Sequence, residues 1–416
     1  MKQRIRVITV ADSDSYVKWG GALLAQMPAD WDRSLLVLAS PVLPSGEQLA
    51  AAFAVSDPCT GRPMVVDLAA LAVRIAEEQP DVVLLSLRGP LVAAAVRAIV
   101  VAAPRRPVIV TGLPGISVPA TRLAIAHRTQ ADLFVLHSRR EVREFSELAL
   151  RMKVDQSFAL ATFPFLPHRT PGHRADGDVI FAAQATVPWG KADRLALLGW
   201  LAEAARRHPY RRVIITVRAA LGEKQTNAET DDYARLIAQL KPRAPSNLVV
   251  DGGAMADHLV RAAALVTVSS TAAIEAVSLE VPVLAIDDFG MNSGLINAVF
   301  DGSGLFGNNA DLVEGRFKHA NAEWLDDNYF HGVGNDDWVT RIVDLLALRE
   351  AGQLPLKPLK WSSFGGGLRH AWDRKRALGR FDRSLGGALA FVLGSPALLA
   401  LLSGRRVRAL IRRRPA

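Results

Sequence analysis

The chain of 416 residues is 50% hydrophobic and 22% charged, which excludes an intrinsically disordered protein and allows two domains with separate cores. The net charge is +9, but residues 361–416 contain twelve Lys or Arg and two Asp, a net charge of +10, so residues 1–360 carry −1. A near-neutral body lacks the basic surface that nucleic-acid binding requires. The single cysteine, Cys59, excludes an internal disulfide framework and a multi-cysteine zinc site.

Strand-like and helix-like segments alternate between residues 5 and 152. The predicted strands are 5–10, 35–39, 81–87, 107–111 and 131–136. The predicted helices are one through Trp19 to Met27, one at 68–78, one ending near Val101, and one at 139–152. This alternation predicts a parallel sheet with right-handed crossovers.

A segment rich in proline, glycine and charge, 164–178, reads as an interdomain linker, and a second alternating set follows it. The predicted strands are 178–183, 212–217, 248–250, 265–268 and 281–286. The predicted helices are 192–208, 231–240, 256–263, 272–279 and 336–351. We therefore expect an α/β protein with two Rossmann-like domains facing a cleft, at 1–165 and 176–350, and a basic, apolar helical tail at 361–416. Ligands of such folds bind where the parallel strands end.

The most informative stretch is 265–286, which reads as strand, turn, helix and strand. Ser269, Ser270 and Thr271 offer hydroxyls just before the helix, where free backbone amides also point outward. Hydroxyls and amides together predict an anion site suited to phosphate. Glu275 lies about one turn into the helix, within reach of a sugar hydroxyl. An ordinary βαβ unit with a capped helix is the alternative reading.

Other polar residues follow the strands of the second half. Gln184 comes after the strand at 178–183, and Arg218, with Glu223 beyond it, follows the strand at 212–217. An arginine beside a helix N-terminus is the combination that a diphosphate needs. A solvated charge at the rim is the other interpretation of Arg218.

The first half would hold an acceptor, and its predicted strand ends carry candidate general bases. Deprotonating an acceptor hydroxyl needs a carboxylate or an imidazole, which Asp12, Asp14, His127 and His137 could supply. The sequence does not choose among them, and the two aspartates could equally cap the first helix.

Three further residues belong to the predicted acceptor-side loops. Arg88 ends the strand at 81–87, and Gly112 and Gly115 flank Pro114 in a tight turn that allows a ligand to approach closely.

Several of these motifs together resemble the two-domain GT-B glycosyltransferases, and more narrowly an actinobacterial group similar to capsule, sialyl- and CDP-glycerol transferases. The resemblance covers about residues 1–345. The motifs that carry it are Thr267–Ala276 with Val281–Leu284, Phe181–Gln184 with Pro188, Thr216–Arg218 with Glu223, Asp287–Gly290 and Thr111–Gly115.

The resemblance implies roles for individual residues. Ser269, Ser270 and Thr271 would bind the donor phosphates, Glu275 the ribose or sugar, and Arg218 would be the main cation. Because the second half has no Asp-x-Asp pair at a strand end, the resemblance does not imply a metal. No cofactor is expected, since the nucleotide-sugar is a substrate.

The tail has no charged residue between Ser384 and Gly404, with clusters of Arg and Lys on both sides and Pro396 in the middle. A span would place one basic cluster outside the cell, against the positive-inside rule. We expect a kinked segment in the inner leaflet, attracted by anionic lipids, although a helix packed on the body is the alternative. Since the N-terminus lacks a signal-peptide region, the predicted location is the cytoplasmic face of the plasma membrane.

The sequence thus predicts a glycosyltransferase that moves a sugar from a nucleotide-linked donor to a cell-envelope glycan or lipid-linked acceptor. A polyol-phosphate transferase or a nucleotide-sugar epimerase of the same fold is one alternative, and a non-catalytic membrane-associated scaffold is another.

Overall fold

The computed structural model describes most of the chain. The described residues are 4–46, 49, 64–164, 166, 174, 176–184, 187, 188, 190–217, 233–240, 242–290, 297–357 and 366–395.

The first sheet has seven parallel strands in the order β3-β2-β1-β4-β5-β6-β7. These strands are β1 Arg6–Ala11, β2 Asp32–Leu38, β3 Met64–Val66, β4 Val82–Ser86, β5 Val108–Gly112, β6 Leu133–Leu136 and β7 Ser157–Leu160. The helices that connect them are α1 Asp14–Gln26, α2 Leu68–Glu78, α3 Gly89–Ala102, α4 Arg122–Ala126 and α5 Arg139–Arg151. The central strands are buried on both faces, as their apolar, β-branched runs predict.

The second sheet has six parallel strands in the order β10-β9-β8-β11-β12-β13. These strands are β8 Asp178–Ala182, β9 Val213–Thr216, β10 Leu248–Asp251, β11 Ala262–Thr267, β12 Val283–Ile286 and β13 Phe306–Gly307. The helices are α6 Lys191–Arg207, α7 Tyr233–Leu236, α8 Met255–Leu259, α9 Ala272–Ser278, α10 Asn309–Glu314, α11 Ala322–Asp327 and α12 Trp338–Glu350. Two parallel sheets with flanking helices confirm the predicted α/β class.

The predicted strands and helices recur with small shifts at their ends, and α2 has the predicted bounds. The edge strands β3, β7 and β13 were not predicted, and β3 and β13, with three and two residues, are too short to show a periodicity. The sequence analysis also missed the short helices α4, α10 and α11.

Helix α12 returns to the first sheet, whereas the sequence placed residues up to 350 in the second domain. Trp338, Ile342 and Leu346 are buried in one cluster with Trp19 and Val135 of the first domain. The apolar stripe of α12 predicts a buried helix face but does not predict which sheet covers that face. The sequence therefore placed α12 in the second domain, with the elements that precede it in the chain. The first domain is therefore completed by residues that follow the second.

The two domains meet through the end of the first domain and the segment before α12. Val118 and Phe163 of the first domain lie in the hydrophobic cluster around Trp324 and Tyr329. Around this cluster, Arg139 pairs with Asp326 at 2.6 Å and Arg143 pairs with Asp327 at 2.7 Å. These contacts join the first domain to the segment before α12.

A pair of helices follows the two domains. Helix α13, Gly366–Leu378, packs on α3 and buries Leu378 in a cluster with residues of the first sheet. A second helical stretch, 385–395, follows it. Across the described ranges, no helix has both the length and the apolar character needed to cross a bilayer.

Candidate active site

A pocket of about 220 Å³ opens at the carboxyl edge of the second sheet, the edge at which its parallel strands end. Its walls come from the loops after β8, β9, β10 and β11 and from the start of α9. The lining residues are Ala183, Thr216, Val217, Gly253, Met255, Ser270, Thr271, Ala272 and Glu275. The pocket thus brings together three predicted donor-site residues: Ser270, Thr271 and Glu275.

The turn between β11 and α9 is held by its own hydroxyls. The Ser270 amide donates to Oγ1 of Thr267 at 2.9 Å, and the Ala272 amide donates to Oγ of Ser270 at 3.2 Å. Ser270 therefore serves the backbone, as predicted for a capping hydroxyl. The Thr271 side chain makes no capping bond in this described turn, is half-buried and lines the pocket.

A hydrogen bond joins two further predicted residues from different loops. The Ser269 hydroxyl donates to Oε1 of Gln184 at 2.9 Å, linking the loop after β8 to the loop after β11. Ser269 is itself buried. This hydrogen bond therefore holds the loop that carries the pocket residue Ser270.

Arg194, which the sequence analysis did not single out, fixes the loop that carries Gln184. Its side chain is buried near the start of α6 and donates to the carbonyls of Pro188 at 3.0 Å and Gln184 at 3.3 Å. Its guanidinium lies 5.4 Å from the centre of the Tyr233 ring. No sequence signal marked it, because a cation in the first turn of a helix usually faces water.

The wall formed after β10 depends on a glycine and a histidine. Gly253 has φ +104°, a conformation that favours glycine. Nε2 of the buried His258 donates to the Gly252 carbonyl at 2.9 Å, which holds this loop. His258 is thus a positioning residue of the pocket. Arg218 and Glu223 lie outside the described residues; Arg218 directly follows the pocket residue Val217 in the sequence.

At the carboxyl edge of the first sheet, Asp12 and Arg88 form one unit. Arg88 donates from Nε at 2.6 Å and from its amide at 3.1 Å to the Asp12 carboxylate, which is fully buried. Burial raises the pKa of Asp12, although the ion pair with Arg88 opposes the rise. The predicted base Asp12 is therefore committed to anchoring Arg88, which also reaches the Ser40 hydroxyl.

His137 is completely buried and both of its ring nitrogens are engaged. Trp19 donates from Nε1 to Nε2 at 2.6 Å, so Nδ1 carries the proton and donates to the Ala161 carbonyl at 3.0 Å. Burial lowers the pKa of His137 to about 4. The expectation that His137 acts as a base is corrected by this geometry, because neither nitrogen can reach a substrate. His137 is therefore a structural histidine.

The two predicted glycines differ in their surroundings. A Cβ on Gly112 would meet the indole of Trp19 and would lie 2.8 Å from the Val135 carbonyl oxygen, so this glycine makes room for the core. A Cβ on Gly115 would have no described atom within 4 Å. Gly115 therefore remains in the open loop predicted to face the acceptor.

Asp14 is the accessible carboxylate among the four candidate bases Asp12, Asp14, His127 and His137. Its side chain is 41% exposed in the first turn of α1 and pairs with Lys18 at 2.9 Å. This exposed carboxylate is open to an incoming acceptor hydroxyl, whereas the Asp12 carboxylate is enclosed and paired with Arg88.

Glu141 is a buried group that the sequence analysis missed. Its carboxylate accepts three hydrogen bonds, from the amides of Ser117 and His137 and from the Tyr329 hydroxyl. Burial raises the pKa of Glu141. The spacing Ser138-x-x-Glu141 is a capping-box signature that could have revealed it. Metal-binding groups of three or more His, Cys, Asp or Glu are absent from the described part of the chain.

Two parallel α/β domains around a cleft, with a pocket at the carboxyl edge of the second sheet, define a protein of the GT-B fold. Solved structures agree. The structure described as a "putative UDP-N-acetylglucosamine 2-epimerase from Listeria monocytogenes" is 12% identical, with a TM-score of 0.52 over 86% of this chain and 98% of that chain. A UDP co-structure of MnaA from S. aureus is 11% identical, with a TM-score of 0.51 over 87% and 100%.

The sequence gives the family. Residues 7–345 match the family described as "Putative glycosyltransferase (DUF6716)", and the chain belongs to it. No curated protein matches the chain. Family and fold confirm the predicted resemblance to the GT-B glycosyltransferases and support glycosyl transfer as the general class of reaction.

Proposed function

We propose that this protein is a glycosyltransferase that binds a nucleotide-linked sugar in the pocket of the second domain and transfers the sugar to an acceptor held by the first. The observation that carries the proposal is the pocket itself, which brings Ser270, Thr271 and Glu275 to the carboxyl edge of a parallel sheet. Ligands of such sheets bind at this edge.

Each pocket residue has a role that follows from its chemistry. The Thr271 hydroxyl, half-buried at the start of α9, is suited to donate to a phosphate oxygen. Glu275 lies on the same helix face one turn further on, where its carboxylate accepts a hydrogen bond from a ribose or sugar hydroxyl. Ser269 and Gln184 hold the two loops in place. Arg218 supplies positive charge for the diphosphate.

In the transfer, the anomeric carbon loses its bond to the diphosphate oxygen and gains a bond to the acceptor oxygen. The acceptor proton passes to a carboxylate, and we assign this base to Asp14, the exposed member of the predicted set. The diphosphate leaves with the bonding electrons, so donors fixed in the pocket must stabilise its negative charge.

The acceptor in this proposal is a cell-envelope glycan or a lipid-linked glycan, reached at the cytoplasmic face of the plasma membrane. Support comes from the basic, apolar C-terminal sequence, since an enzyme held at a bilayer meets acceptors that are anchored there.

Product analysis with the full chain tests the proposal. The protein is incubated with UDP-, GDP- and CDP-linked sugars and a membrane extract, and nucleotides and glycans are identified by mass spectrometry. Release of a nucleoside diphosphate together with a glycosylated acceptor is the expected result. With CDP-glycerol as a further donor, release of CMP together with a glycerol-phosphate product would identify a polyol-phosphate transferase, and isomerised sugar donor without acceptor would identify an epimerase.

A further inference from the structure

In the helical stretch 385–395, small residues face the protein and large apolar residues face outward. Gly387, Ala390 and Gly394 share one face at a spacing of three and four residues, and this face packs inward. The opposite face is apolar and exposed. It comprises Leu385, Leu389, Val392 and Leu393, at 83%, 63%, 69% and 66% exposure. A water-exposed helix normally buries its leucines, so this face is built to meet something apolar.

The small residues allow this stretch to lie directly on α13. A Cβ on Gly394 would come within 2.7 Å of the Trp372 indole, and a Cβ on Gly387 would meet the Asp382 carboxylate. Trp372 stacks on Phe391 at 6.2 Å and donates to the Ser395 hydroxyl at 3.2 Å. We call α13 and the stretch 385–395 together the C-terminal hairpin. Its outward leucines are a consequence of this packing.

The connection of the hairpin is fixed by ion pairing. Arg374 donates to the Asp382 carboxylate at 3.0 Å, and Lys375 donates to the Asp382 carbonyl at 2.6 Å. The Ser384 hydroxyl accepts from the Gly387 amide at 3.1 Å and caps the second helix. These contacts make the hairpin a defined structural unit.

The C-terminal hairpin also carries exposed positive charge. Arg376 and Arg380 are exposed near the end of α13, and Arg383 is exposed two residues before Leu385. A small unit that carries both an apolar helix face and exposed arginines complements the surface of an anionic bilayer, which offers both an acyl region and negative headgroups.

The hairpin is attached next to the acceptor side of the first domain. Gly379 lies against Pro41, since a Cβ there would be 3.4 Å from its Cγ. Pro41 follows Ser40, whose hydroxyl donates to the Asp12 carbonyl and accepts from Arg88. The hairpin therefore contacts the carboxyl edge of the first sheet, where the acceptor is proposed to bind.

We propose that the C-terminal hairpin docks the protein on an anionic bilayer through Leu385, Leu389, Val392 and Leu393, and that docking places the acceptor edge of the first domain at the membrane surface. The placement of a lipid-linked acceptor rests on the proposed function, whereas bilayer binding stands on the hairpin alone.

Co-sedimentation of the full chain with vesicles tests this inference. Vesicles of phosphatidylglycerol and phosphatidylcholine are compared with vesicles of phosphatidylcholine alone. The protein should bind the anionic vesicles, and Leu389→Glu with Val392→Glu should weaken binding at least about tenfold, because two apolar contacts are lost. Arg376→Gln, Arg380→Gln and Arg383→Gln should each weaken binding roughly fivefold. Leu150→Glu, at an equally exposed leucine of α5, is the matched control and should bind like the wild type.

Three outcomes would overturn the proposal. The first is absence of binding to anionic vesicles, and the second is unchanged binding by the double glutamate variant. The third is a change of that variant from a dimer to a monomer with no effect on vesicles, which would mean that a second copy covers the face. Nucleotide binding is measured on the same samples to separate this inference from the proposed function. If the protein binds a nucleotide but does not bind vesicles, the docking proposal fails while the proposed donor site is retained.

Discussion

The Tyr329 hydroxyl lies 2.7 Å from Oε1 of Glu141, and this hydrogen bond joins the segment before α12 to the first domain. Glu141 also accepts from the Ser117 amide at 2.7 Å, so the loop after β5, the start of α5 and the second domain converge on one carboxylate. The group is fully buried. A buried carboxylate needs all its donors, which makes Glu141 a fixed point of the domain interface.

Removing the Tyr329 hydroxyl should therefore destabilise the protein. Tyr329→Phe should lower the free energy of unfolding by about 1–3 kcal/mol, because a donor to a buried charged group is lost. Urea denaturation followed by tryptophan fluorescence measures the change. Tyr210→Phe, at a fully exposed tyrosine, is the control. Equal effects of the two substitutions would contradict the role given to Glu141.

His137 should make stability depend on pH. Its pKa falls from 6.5 in the unfolded chain to about 4 in the fold, so the folded state binds fewer protons between these values. The contribution of His137 to the free energy of unfolding is fully present above pH 6.5 and is lost as the pH falls to 4. The loss should be about 3 kcal/mol.

Denaturation at pH 6.5 and at pH 4 measures this effect for the wild type and for His137→Gln. The variant should be less stable at both pH values but should lose less stability between them, by about the same 3 kcal/mol. An identical loss in both proteins would mean that His137 is not the group responsible.

Gly112 at the end of β5 and Gly115 in the loop after it should respond differently to alanine. Gly112→Ala should destabilise the protein by roughly 1–3 kcal/mol, because its methyl group would overlap the Trp19 indole and the Val135 carbonyl. Gly115→Ala should be nearly neutral, since that position is open. Thermal unfolding of the two variants tests the pair, and a larger loss at Gly115 would contradict the packing described.

The two aspartates of the first loop should separate catalysis from stability. Asp14→Asn should lower the transfer rate by about 10²–10⁴-fold with nucleotide affinity unchanged, as for a general base. Asp12→Asn should instead lower stability, because Arg88 would lose its buried partner. Transfer rates and unfolding curves of both variants test these two roles. A fully active Asp14→Asn protein would show that Asp14 is not the general base.

The sequence predicted the elements whose signal is local. The strand, hydroxyl turn and helix at 265–279 could be anticipated because apolar runs and capping hydroxyls are read within a few residues. The same residues line the pocket, since the ends of parallel strands meet at one edge.

What the sequence did not predict depends on distant partners. His137 looked like a base at a strand end, but Trp19, 118 positions earlier, takes up Nε2. Helix α12 carried an apolar stripe that fits either sheet. Arg88 was predicted only as an acceptor-side loop residue and Arg194 was not singled out, because their carboxylate and carbonyl partners are set by tertiary packing.

Isothermal titration of the full chain with UDP, GDP, CDP and CMP tests the proposed donor site directly. We expect that one nucleotide binds saturably, that Thr271→Val weakens its binding by about tenfold, and that Ser278→Ala leaves binding unchanged. Absence of binding by any nucleotide to a folded protein, or equal affinity in Thr271→Val and the wild type, would contradict a nucleotide-sugar site in this pocket.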